Sequence, residues 1–140
     1  MSETIDFRKL EIGEYRHWKL FLNEYQCYLG RVCLVAKRED ANDFIEMTEE
    51  EREEFFQIAK CVNKALKDLF NPDLMNYAAL GNNFKHLHVH LIPRYEKPRE
   101  FAGIGFIDKR WGKNYAPYDR DFKITLEGLL EIKDAIGSLL

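Results

Sequence analysis

His86-Leu87-His88-Val89-His90-Leu91-Ile92 sets an imidazole at every second position three times over, and two is the side-chain period of a β-strand. On such a strand the three rings share one face, while Leu87, Val89 and Leu91 point the other way, into a core. The chain has four histidines, so three of them within five residues concentrate one chemistry in one place. Histidine titrates near neutrality, which lets a neutral ring act as nucleophile beside a protonated one acting as acid.

Working upstream, Gly81-Asn82-Asn83 reads as a turn and Leu74 to Leu80 as the strand before it. Asn71-Pro72-Asp73 stops a helix predicted over Thr48 to Phe70. Thr48 and Glu51 form a capping box at its start, and Phe55, Ile58, Ala59, Val62, Leu66, Leu69 and Phe70 trace its apolar face. Apolar runs from Trp18 to Asn23 and from Arg31 to Lys37 flank Glu24 to Gly30, which predicts two strands and a turn. Downstream, the histidine strand is read to end at Pro93. The stretch from Pro93 to Phe122 is long for a loop, yet Tyr95, Phe101, Phe106, Trp111, Tyr115 and Tyr118 imply that it packs on something. Leu126, Leu129, Leu130, Ile136 and Leu139 mark a final amphipathic helix.

At 140 residues, 46% hydrophobic and 32% charged, the chain suits one globular domain spanning 1–140. Its net charge of −3 gives no sign of nucleic-acid binding. Charge is segregated, however: Glu39 to Glu54 holds nine acids and one base, whereas Arg94 to Arg120 holds seven bases and four acids. An anionic ligand favours the second region. Cys27, Cys33 and Cys61 are odd in number and lack CxxC spacing, so they read as buried small hydrophobes rather than disulfide or zinc ligands. Met1 to Leu10 lacks the apolar region of a signal peptide and no run approaches the length of a membrane span, so a cytoplasmic chain without membrane contact is expected.

For His86, His88 and His90 three readings compete. They are solvated or structural; they share a zinc ion, although the nearest acid is Glu96; or one imidazole attacks phosphorus while another assists the leaving group. His17, beside Trp18, reads as a half-buried histidine outside any site, and Glu49 to Glu54 as a solvated helix start.

The stretch His86 to Ile92 is similar to the His-φ-His-φ-His-φ-φ pattern, φ being apolar, of the histidine-triad (HIT) nucleotide hydrolases and transferases. The order of elements before it and Pro93-Arg94 after it fit as well, and the chain resembles bacterial or archaeal HIT proteins of the diadenosine polyphosphate hydrolase type. The likeness covers residues 18–95, with 96–140 a C-terminal loop and helix. It implies an α+β fold: an antiparallel sheet of about five strands, one long helix packed on it and a C-terminal extension. It also implies a homodimer. By resemblance His88 is the nucleophile at an α-phosphate, with its other ring nitrogen fixed by a backbone carbonyl. His90 binds phosphate and aids departure, and His86 completes the polar network. Asn23, Asn76, Asn82 and Asn83 become candidate nucleotide contacts.

The expected activity is hydrolysis of a dinucleoside polyphosphate such as diadenosine tetraphosphate. Adenosine phosphoramidate hydrolysis and nucleotidyl transfer share the same first step. A zinc-binding module and a non-catalytic AMP sensor are alternatives from other classes. No metal or other cofactor is needed by the nucleophile, and magnesium could accompany a polyphosphate. The chain departs from the family at Gly30-Arg31, where many members have Gly-His, and at Gly81-Asn82-Asn83-Phe84, where many have Gly-Gln-x-Val. Lys113 and Trp111, with Lys109 and Arg110, are expected to cover the phosphate end of a longer ligand or to pack as a flap on the dimer.

Overall fold

The computed structural model describes residues 5–140; the part of the N-terminal reading that falls on residues 1–4 lies outside them. Strands β1 (Glu11–Glu14), β2 (Trp18–Leu22), β3 (Val32–Ala36), β4 (Leu74–Ala78) and β5 (His88–Arg94) form an antiparallel sheet in the order β1-β2-β3-β5-β4. The histidine strand is therefore interior, paired with β3 on one side and β4 on the other.

Alternation divides the sheet into two faces. Trp18, Leu20, Leu22, Val32, Leu34, Ala36, Leu87, Val89 and Leu91 are buried in one core. Phe55, Ile58, Val62 and Leu66 of α1 (Glu49–Phe70) join them, as do Leu129, Ile132 and Ile136 of α2 (Leu126–Gly137). The capping box forms: the Thr48 hydroxyl accepts from the Glu51 N–H at 3.1 Å, and the Glu51 carboxylate accepts from the Thr48 N–H at 2.8 Å. Glu51 is buried, and Arg38 donates to both its oxygens at 3.2 and 3.1 Å. The Trp18 indole N–H donates to the Glu51 carbonyl at 2.9 Å, which ties the helix start to β2. One cap thus orients α1 and anchors it to the sheet.

The turn between β2 and β3 is held by a buried amide. Gln26 accepts from the Gly30 N–H at 2.8 Å and donates to the carbonyls of Asn23 and Arg31 at 2.7 and 2.9 Å. Gly30 has φ +89, and a Cβ there would lie 2.7 Å from Leu66 Cδ2 and 3.2 Å from the Phe70 ring. Both the backbone and the space demand glycine.

Several boundaries differ from the sequence reading. β1 escaped it because its charged ends and Gly13 hide the alternation, and a register shift interrupts its pairing. The stretch after Pro93 contains a second sheet, β6 (Arg99–Phe101) and β7 (Ile104–Phe106). Its turn places Ala102 at φ 54 and Gly103 at φ 76, and alanine is a poor herald of a left-handed turn. Phe101 packs on Phe70 and Phe106 on Phe122, with ring centroids 5.2 and 5.7 Å apart, as expected, whereas Trp111 is exposed. β5 starts at His88 rather than His86 and continues through Pro93, which pairs with Met75, to Arg94. β4 stops at Ala78, not Leu80. Cys61 is exposed, unlike Cys27 and Cys33, because it lies off the apolar stripe of α1. Leu139 lies past the end of α2 and is exposed, and Ile132 turns inward in the stripe. Among the described residues no helix is long and apolar enough to cross a membrane.

Gly30→Ala is expected to destabilise the protein by about 2–4 kcal/mol, from strain at positive φ plus overpacking against Leu66. Urea unfolding should show a lower midpoint with an unchanged slope.

Candidate active site

Opposite the core, β3 and β5 place Cys33 beside His90 and Val35 beside His88. Just before β5 the chain still pairs locally: the Leu87 N–H donates to the Ala41 carbonyl at 2.9 Å, and the Leu87 carbonyl accepts from the Ala36 N–H at 3.1 Å. His86 is held here too, with its Nε2 2.5 Å from the Ala36 carbonyl oxygen. A carbonyl only accepts, so that nitrogen carries the proton.

His88 Nδ1 lies 2.8 Å from the carbonyl oxygen of His86. By the same reasoning Nδ1 is protonated in the neutral ring, and Nε2 keeps its lone pair. The backbone of the strand therefore fixes the tautomer a nucleophile needs. The rings of His88 and His90 meet edge to face, centroids 5.1 Å apart, and Phe84 lies against His88 at 5.0 Å.

His90 has a different partner. The Arg31 guanidinium lies 3.4 Å from His90 Nδ1. Arginine only donates, so His90 accepts at Nδ1 and carries its proton on Nε2. Burial, then the Arg31 charge and then His88, push the His90 ring down from its ordinary 6.5 to about 3. His90 is thus neutral throughout the physiological range. Arg31 is 2% exposed, and its Nε and Nη1 have no hydrogen-bond partner among the described residues. Its guanidinium carbon sits 4.4 Å from the Tyr118 ring centroid and 5.5 Å from that of Tyr115.

Two clefts meet at His88. One, of about 600 Å³, is mostly apolar and lined by Phe7, Phe21, Leu22, Asn23, Val35 and Phe84, with His88 and His90. The other, of about 340 Å³, is more polar and runs past Asp43, Gly81, Lys85, His86 and His88. Such a pairing suits a ligand with a flat apolar end and a charged end, joined at the imidazole.

Beyond His90 the same sheet face is covered by the segment after β7. Arg94 and Asp108 form a buried ion pair, with Nε to Oδ2 at 2.7 Å and Nη2 to Oδ1 at 3.1 Å. Arg94 also donates to Asn76 Oδ1 at 2.8 Å and to the carbonyls of Lys113 and Arg110 at 3.0 and 2.7 Å.

These contacts sort the sequence candidates. His86, His88, His90 and Asn23 come together, although Asn23 Oδ1 already accepts from the Tyr25 N–H at 2.9 Å. Asn76 faces Arg94. Asn82 and Asn83 are exposed in the turn that leads to the triad. Lys113 and Trp111 sit on the covering segment and line neither cleft. His17 is half-buried, its N–H donating to Glu54 at 2.6 Å. Arg31, Gln26, Phe21, Phe84 and Lys85 belong to the site's surroundings and were not singled out as contacts. Arg31 and Phe84 are visible in the sequence only as departures from the expected Gly-His pair and Gly-Gln-x-Val run. Among the described residues no three His, Cys, Asp or Glu side chains are grouped to hold a metal ion.

Comparison with known proteins agrees with this geometry. A family model described as "HIT domain" matches residues 20–97. The protein named "Protein hit" from Bacillus subtilis is 29% identical over 121 residues, 81% of this chain and 79% of the relative. A bis(5'-adenosyl)-triphosphatase of Saccharomyces cerevisiae is 26% identical over 106 residues, 69% of this chain but 52% of the relative. A histidine triad protein from Sinorhizobium meliloti superposes with a TM-score of 0.78 at 23% identity, covering 98% of this chain and 96% of that one, and shows the fold.

A depressed folded value at His90 makes stability depend on pH. Between about 3 and 6.5 the unfolded chain binds a proton that the folded chain refuses, so stability rises with pH across this window and falls on acidification. The slope approaches about 1.4 kcal/mol per pH unit. Urea midpoints should drop from pH 7 to pH 5, and His90→Gln should flatten that drop; equal slopes in the two proteins would contradict the assignment.

Proposed function

The chain belongs to the HIT domain family, and we propose that it is a nucleotide hydrolase that cleaves a dinucleoside polyphosphate at the α-phosphate through a nucleotidyl-histidine on His88. The observation that carries this reading is the His88 Nδ1–H bond to the His86 carbonyl, which leaves Nε2 as a lone-pair donor where the two clefts meet. Distant similarity to a bis(5'-adenosyl)-triphosphatase supports the substrate class.

The nucleoside lies in the apolar cleft, with its base among Phe21, Leu22 and Val35 and its sugar near Asn23. The remaining phosphates follow the polar cleft past Lys85. His88 Nε2 forms the N–P bond as the bridging P–O bond breaks, its electron pair leaving with the departing phosphate oxygen. The phosphorylated ring is cationic, and the His86 carbonyl facing Nδ1–H stabilises it. Water then attacks phosphorus, the N–P pair returns to Nε2, and one water proton passes to solvent. Magnesium, if it accompanies the substrate, travels on the polyphosphate. In this reading the protein acts in the cytoplasm as a homodimer, which exposed Phe56, Leu74 and Tyr77 on α1 and β4 favour.

Brief exposure to diadenosine tetraphosphate should add one adenylate to the intact mass, and His88→Asn should abolish both adduct and turnover, a loss of about 10⁴-fold or more. An unmodified mass with unchanged turnover in His88→Asn would sink the mechanism. Sedimentation equilibrium should return twice the chain mass.

A further inference from the structure

The sheet face that carries the triad holds two buried arginines with opposite circumstances. Arg94 is saturated with acceptors, whereas among the described residues the Arg31 guanidinium makes one hydrogen bond, to His90, and leaves Nε and Nη1 without partners. Among the described residues no carboxylate offsets its charge; the faces of Tyr118 and Tyr115 do so in part. A buried unpaired cation is destabilising, so the fold retains it at a cost. Arg31 is 2% exposed and lines neither cleft at the triad. A ligand therefore meets Arg31 only through His90.

We propose that Arg31 is a positioning residue that holds His90 as a neutral Nε2–H donor, and that it thereby restricts the enzyme to substrates whose leaving group departs without receiving a proton. This rests on the hydrolase reading above. With a guanidinium facing Nδ1, the ring has one proton, on Nε2, and no second proton to give. A phosphate leaving group needs only a hydrogen bond: the P–O pair goes to its oxygen, which departs as an anion facing Nε2–H. An amine leaving group must gain a proton as the P–N bond breaks, and neutral His90 does not supply it. Nucleotide anhydrides are thus the substrates, and nucleoside phosphoramidates are disfavoured.

The arrangement is difficult to undo. Gln26 pins the Arg31 carbonyl at 2.9 Å, and the Arg31 N–H donates to the Tyr28 carbonyl at 3.0 Å, which places its backbone. The covering segment, tied down by Arg94, supplies the two tyrosines. Other titratable or charged groups around His90 are Cys33 across the β3 pairing, His88 on its own strand, and Lys19 and Glu24 on the cleft wall; β4 contributes uncharged Ala78. Among the causes that lower the His90 proton affinity, Arg31 is the leading charge.

Long-range ¹H–¹⁵N spectra of the histidine rings, recorded from pH 5 to 8, read this directly. His90 should remain a neutral Nε2–H tautomer throughout in the wild type and in Arg31→Lys, and should begin to titrate within the range in Arg31→Gln. At pH 7 the wild type should prefer diadenosine tetraphosphate over adenosine phosphoramidate in kcat/KM by about 100-fold or more, the size of a general-acid contribution. Arg31→Gln should shrink that ratio by at least about tenfold and give phosphoramidate turnover an acidic limb. A wild-type His90 that titrates near pH 6, or comparable wild-type turnover of the two substrates, would overturn the proposal with no variant needed. Loss of turnover on both substrates with no adenylate on His88 would instead remove the hydrolase reading, leaving the ring spectra to judge the Arg31–His90 pair.

Discussion

Every N–H of the Arg94 guanidinium has an acceptor: two oxygens of Asp108, one of Asn76 and two backbone carbonyls from the segment between Arg110 and Lys113. This is the constraint on which the rest of the molecule depends. Arg94 ends the histidine strand, so its five bonds register a long irregular segment against that strand to within a hydrogen-bond length. Removing one member of such a buried pair typically costs about 3–5 kcal/mol, because the other charge is left without compensation. Through this knot Tyr115 and Tyr118 come to lie over Arg31, and Arg31 comes to face His90.

Two buried cations on the triad's face of the sheet thus divide the labour. The saturated one builds; the nearly unpartnered one acts electrostatically. Its effect on His90 is possible because the environment is dry: in water the same separation would be screened, whereas here burial and the guanidinium push the ring the same way. The three histidines, alike in sequence, end with three different environments. His86 donates to a carbonyl of the neighbouring strand, His88 donates to the carbonyl two residues before it, and His90 accepts from an arginine.

The HIT fold was legible early because its determinants are local. Alternation of Leu87, Val89 and Leu91 with the histidines defines a strand, and the Thr48–Glu51 box with the apolar stripe behind it defines α1. Elements whose stability comes from tertiary partners were less legible. β1 is a short strand at the sheet edge, and the β6–β7 hairpin turns on Ala102 at positive φ, held by Phe101 against Phe70. Of the candidate site, the triad and Asn23 come together, whereas Lys85 carries no pattern that marks it, and Arg31 is marked in the sequence by its departure from Gly-His and not by any role.

By itself, then, the sequence determined the α+β class, the single face carrying three imidazoles and the family likeness, since period and capping act over a few residues. The tertiary structure decided which ring nitrogens carry protons and that one imidazole is held neutral. It also decided that the basic aromatic segment after Pro93 reaches the triad through Arg31. Those outcomes rest on contacts between residues as far apart as Arg31 and Tyr118. Desolvation and charge proximity are set by the folded arrangement, and no spacing along the chain encodes them.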